Sequence, residues 1–117
     1  MPIKDDEIVN CVTMVLEYCQ DIQYLKGLYV PSETETVSER ARRGLLDISA
    51  DIARSAARAL HQAGTECFPE LKSVDTSGLS TAIKANDLAS LKRAASELDE
   101  EVTKAINQAR RRVGLPA

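Results

Sequence analysis

Between Asp5 and Tyr29 apolar side chains come round too often for a helix that buries only one face. At about 100° per residue, Val9, Cys11, Val12, Met14, Val15, Leu16, Tyr18, Cys19, Ile22, Leu25 and Tyr29 spread over roughly 220° of the helical wheel. A single packing stripe needs only about 120°. Leu88, Leu91, Ala95, Leu98, Val102, Ala105, Ile106, Ala109 and Val113 near the other end of the chain stay within such an arc. The late segment therefore packs on one side, and the early one has to bury two.

No stretch alternates with period two, and β-branched residues never cluster between turn signals, so no strand is expected. The fold class is all-α: a small antiparallel helical bundle of three long helices plus one short helix. A chain of 117 residues makes this a single helical-bundle domain over residues 1–117. With 44% apolar and 28% charged residues it has the composition of a folded protein.

The punctuation predicts the helix ends. Asp5 or Asp6 caps a first helix that runs to about Tyr29, before Val30-Pro31, because a residue preceding proline avoids the α region. Ser32-Glu33-Thr34-Glu35 reads as a capping box for the second helix, with Thr36 or Ser38 as later starts, and Gly64 as its left-handed C-cap. Thr65 to Gly78 is a connector with a helical turn after Pro69. Leu79 to Ala85 forms the short helix, Asn86-Asp87 a tight turn, and Asp87 caps a fourth helix that ends near Val113 before Gly114 and Pro116.

A third helix of about seven residues is too short to cover a first helix on the order of 36 Å long. The surplus apolar surface then belongs in an interface with a second copy or another protein, since left bare it would invite aggregation. Val9, Met14, Leu16, Tyr18, Leu25 and Tyr29 are the candidate interface residues, the tyrosines because the ring buries area while the hydroxyl keeps a polar contact. Placement of this helix at the centre of the monomer is the competing reading.

The second helix carries Arg54 and His61 about 20° apart on the wheel. This Arg-x6-His pair resembles the Arg-x4-6-His element of the HEPN helical-bundle ribonucleases. The resemblance implies that Arg54 and His61 meet their copies across a dimer and cut RNA, the imidazole moving protons while the guanidinium steadies a phosphorane. The same face holds Arg40, Arg43, Asp47 and Arg58, so Arg43–Asp47 and Asp51–Arg54 pairs on a solvated face also account for it. Arg110, Arg111 and Arg112 splay by about 100° each and suit a helix C-terminus rather than a nucleic-acid stripe. Glu97, Asp99, Glu100 and Glu101 read as a solvated face with Glu100 paired to Lys104.

With a formal charge of −3, no tryptophan and one phenylalanine, the chain has neither the field nor the stacking platform of a nucleic-acid binder. One histidine and three scattered cysteines show no metal-ligand spacing, and no glycine-rich loop precedes a helix, so no metal or cofactor is expected. Cys11 and Cys19 lie about 12 Å apart along one helix, beyond the roughly 7 Å reach of a disulfide. Reduced structural thiols are therefore expected, with Cys67, beside Phe68 and Pro69, the exposed one. No run approaches the roughly 18 apolar residues of a membrane span, and the acidic opening Met-Pro-Ile-Lys-Asp-Asp-Glu is unlike a signal peptide, which points to the cytoplasm.

The functional expectation is a non-enzymatic regulatory or adaptor protein, homodimeric, that binds another protein through apolar helix faces. An antiactivator restraining a transcription regulator is one instance. The alternatives are the HEPN-like ribonuclease and a small helical subunit of a larger assembly.

Overall fold

The computed structural model describes residues 5–32 and 34–114. Among them the chain is all-helical, with α1 over Asp5–Lys26, α2 over Glu39–Glu66, a 3-10 turn over Pro69–Ser73, α3 over Ser77–Ala85 and α4 over Leu88–Arg112. Glu33, Pro116 and the residues before Asp5 lie outside the described residues, so the stop expected at Pro116 does too. No described helix is long and apolar enough to cross a membrane.

Several helix ends differ from the sequence expectation, each for a local reason. The first helix stops at Lys26 rather than Tyr29, after which Leu28 turns inward to 3% exposure and its carbonyl accepts from Lys92 Nζ at 3.1 Å. The second starts after Ser38, the latest of the three expected starts, whose hydroxyl accepts from the Ala41 N–H at 3.1 Å, and not at the Ser32 capping box. Ser32 and Glu35 instead close an isolated turn, in which Glu35 N–H donates to the Ser32 carbonyl and Ser32 N–H to the Glu35 carboxylate.

Gly64 is not a C-cap. It sits inside α2, buried, because the 3-10 turn leans on it: a Cβ there would lie 3.1 Å from Lys72 N and 3.2 Å from the Leu71 carbonyl carbon. The helix runs past it and closes at Cys67, whose N–H donates to the Ala63 carbonyl. Glycine here answers a close approach of backbones and not a left-handed turn.

The Asn86-Asp87 turn is formed as its residues require. Asn86 takes the left-handed conformation at φ 52°, which a short amide side chain tolerates. Asp87 accepts from Ala89 N–H at 3.2 Å and from Ser90 Oγ at 2.6 Å. The Ser90 hydroxyl bond holds the Asp87 carboxyl below its usual range. With a lowered folded pKa, this stabilisation is complete above the unfolded value near 3.9 and is lost as pH falls through the folded one. Asp87→Ala is expected to lower stability by about 1 kcal/mol at neutral pH. The gap from the parent should narrow as pH drops below about 4, as measured by urea unfolding at a series of pH values.

The body measures 58 × 24 × 20 Å. Two helix diameters of about 10–12 Å fill its thickness, so every helix keeps one side on solvent. α1 packs on α2 and α4, α3 packs on α4 and α2, and the 3-10 turn packs on α2 and α4. Ile22 and Leu25 of α1 and Leu91 and Val102 of α4 are among the fully buried side chains. α2 meets them with small residues, Ala53, Ala56, Ala59 and Ala63, which let neighbouring backbones come close. In α4, seven of the nine expected apolar positions, Leu88, Leu91, Ala95, Leu98, Val102, Ala105 and Ala109, are buried, while Ile106 is half-buried against the core and Val113 is 58% exposed.

The cysteines correct the sequence reading. Cys11 and Cys67, 56 residues apart, form a disulfide with 5.8 Å between their α-carbons, and both are half-buried. The free, exposed thiol is Cys19, not Cys67. The pair is possible because the end of α2 is brought beside the opening turns of α1, a proximity that spacing along the chain does not report.

Candidate docking face on the first helix

One side of α1 is buried and another is bare. Tyr18, Ile22 and Leu25 point into the body, at 3%, 1% and 0% exposure. Val9, Val12 and Leu16 point out, at 61%, 52% and 55%. Their i, i+3, i+7 spacing sets them in one narrow line along the helix, and exposed Cys19 continues it at i+10. Exposed Thr13, Glu17 and Gln20 run along one flank of this line.

Of the six residues expected at an interface, the structure places three on the surface. Val9, Leu16 and Tyr29 are exposed, and the Tyr29 hydroxyl bonds to the Glu35 carboxylate. Met14 is half-buried and packs on the core. Tyr18 and Leu25 leave the set altogether because they are core residues: α2 and α4 cover the part of the wheel on which they lie. Val12 and Cys19 belong to the exposed line and were not singled out, although their spacing from Val9 and Leu16 was a readable signal.

Tyr18 has a different task. Its hydroxyl donates to Asp99 Oδ1 at 3.1 Å, and Lys26 Nζ donates to Asp99 Oδ2 at 2.8 Å. Burial, reinforced by the adjacent carboxylate charge, pushes the Tyr18 hydroxyl far above its ordinary pKa, so it stays a neutral donor. Asp99 is thus not part of a solvated acidic face but the link from α4 to α1. Partial desolvation and the Asp99 charge likewise raise the pKa of the Cys19 thiol, which keeps it protonated and a poor nucleophile.

Elsewhere the charged groups make local pairs. Arg54 Nη1 donates to Asp51 at 3.1 Å, the pairing expected of a solvated face. Arg43 pairs with Glu39 at 3.9 Å rather than with Asp47, and Lys104 with Glu101 at 3.2 Å rather than with Glu100. In each case a carboxylate three or four residues away on the same helix is in reach, and spacing alone does not choose between them. Arg110 and Arg111 are exposed, while Arg112 binds Glu70 on the 3-10 turn and holds that carboxyl below its usual range. Arg54 also lines a crevice of about 290 Å³ between α2 and the α3–α4 turn, beside Asp47, Asp51 and Asp87. His61 is exposed and is not among the residues lining that crevice. Among the described residues no group of three or more His, Cys, Asp or Glu side chains is placed to hold a metal ion.

Compared with protein-family models, with curated proteins and with solved structures, the chain finds no match.

Proposed function

We propose that this chain is a non-enzymatic regulatory or adaptor module that works by helix-to-helix docking along the outer line of α1, with a second copy of the chain as its first occupant. The observation that carries this reading is the exposed row of Val9, Val12 and Leu16. Three large apolar side chains at seam spacing on a helix whose other side is already buried are what a coiled-coil-like partner requires. Within the subunit we read the helices as a small antiparallel bundle, a reading supported by the packing of α1 and α3 on both α2 and α4. A partner protein would present an amphipathic helix to the same line, and an antiactivator that restrains a transcription regulator is one function of this type. We place the chain in the cytoplasm, where a disulfide is reversible rather than permanent.

The test is light scattering and sedimentation equilibrium across a concentration series. The parent should dimerise, and Leu16→Glu should weaken the association by at least about 30-fold while leaving the circular dichroism of the dilute protein unchanged. A parent that stays monomeric at every concentration ends this reading.

A further inference from the structure

We infer that the Cys11–Cys67 disulfide is a redox switch for the docking line on α1: closed, it holds the opening turns of the helix in place, and opened, it releases them. This inference rests on the docking reading and adds its regulation. Over residues 9–17 no side chain is buried, and the first buried side chain of α1 among those described is Tyr18. Met14 packs on the core, but before Met14 the only described side chain of α1 that is not exposed is that of Cys11. Among the described side chains before Met14, the covalent bond to Cys67 is what ties Val9 and Val12 to the body.

The same segment is poorly suited to stay helical unaided. Ile8, Val9, Val12 and Thr13 are β-branched, Asp5, Asp6 and Asn10 are weak helix formers, and the Thr13 hydroxyl bonds back to the Val9 carbonyl at 2.8 Å. Helices shorter than about 12–15 residues are marginal in water without tertiary packing. Once the tether opens, residues 5–13 lose the helical spacing that lines Val9 and Val12 up with Leu16.

The chemistry balances with a dithiol reductant. One of its thiolates attacks a sulfur of the pair, the Sγ–Sγ bond breaks, and the departing sulfur leaves as a thiolate and takes up a proton. The second reductant thiol then resolves the mixed disulfide and closes the reductant's own disulfide. The chain gains two electrons and two protons, and the reductant loses the same. Both cysteines are half-buried, so the bond is within reach of solvent.

The experiment is amide hydrogen exchange together with sedimentation, on the oxidised chain, on the chain reduced with excess dithiothreitol, and on Cys11→Ser. In the reduced chain and the variant, residues 5–13 should exchange within about tenfold of the unstructured-chain rate, while the amides of α4, lowered by the lost global stability, stay well protected above it. Self-association should weaken by at least about tenfold. Unchanged protection at residues 5–13 overturns the inference, as does an α4 that exchanges at the unstructured-chain rate, which would mean global unfolding, or loosening that leaves association intact. If the oxidised chain does not self-associate at all, the docking reading fails before any reductant is added, and that result is separate from one in which the chain associates regardless of redox state.

Discussion

Reduced protein, or protein carrying Cys67→Ser, should unfold at markedly lower urea than the oxidised chain, with about 4 kcal/mol less stability. The disulfide closes a loop spanning 56 residues, and cross-linking withdraws that closure entropy from the unfolded ensemble. The melting temperature should fall by about 15 °C, since each kcal/mol moves a domain of this size by about 4 °C. The reduced chain should still fold, because domains typically hold about 5–15 kcal/mol. Parallel urea transitions with and without reductant check this, and Cys11→Ser should superimpose on the reduced parent. Coincident transitions for the oxidised and reduced protein would show that the bond contributes nothing.

Leu25→Ala should lower stability by about 3 kcal/mol, and Leu16→Ala should change it by less than about 0.5 kcal/mol. Both are leucines on α1, separated by nine positions, and the sequence pattern put both at the margins of one broad apolar arc. Their surroundings are opposite: Leu25 is 0% exposed, while Leu16 is 55% exposed. Removing Leu25 leaves a cavity lined by side chains that relax only in part; removing Leu16 leaves water where water already was. Urea unfolding of dilute protein, where association does not contribute, separates the two. Similar losses for both would mean that α1 is rotated about its axis relative to the structure described above.

How much of this was legible beforehand depends on whether a signal is local. The α4 stripe was readable except at its end because its apolar residues share one arc and one rotation buries it, whereas Val113 lies past the last turn and is exposed. The Asp87 cap and the left-handed Asn86 were readable because turn chemistry acts over a few residues. The breadth of the α1 arc was equally plain, but which part of it faces the body was not. That depends on where α2 and α4 lie around it, so Tyr18 and Leu25 were assigned to an interface and are core. Gly64 carries the signal of a helix stop, yet the approach of Leu71 and Lys72 is what requires a glycine there. The partner of Cys11 lies 56 residues away, where periodicity is silent. Ser32, Thr36 and Ser38 are all competent caps by residue type, and of the three it is Ser38 whose hydroxyl accepts from the first turn of α2.

Asp99 also limits how this protein can move. One carboxylate is gripped by Tyr18 and Lys26, two donors on the same helix, one on each oxygen. A ratchet of α4 by a full turn, about 5.4 Å, would break both bonds together and strand the buried phenol without an acceptor. Shear between these two helices is thus a forbidden route for relaying a signal. Motions that keep the Asp99 carboxylate within reach of both donors, such as fraying at the far ends of the two helices, leave this waist in gear.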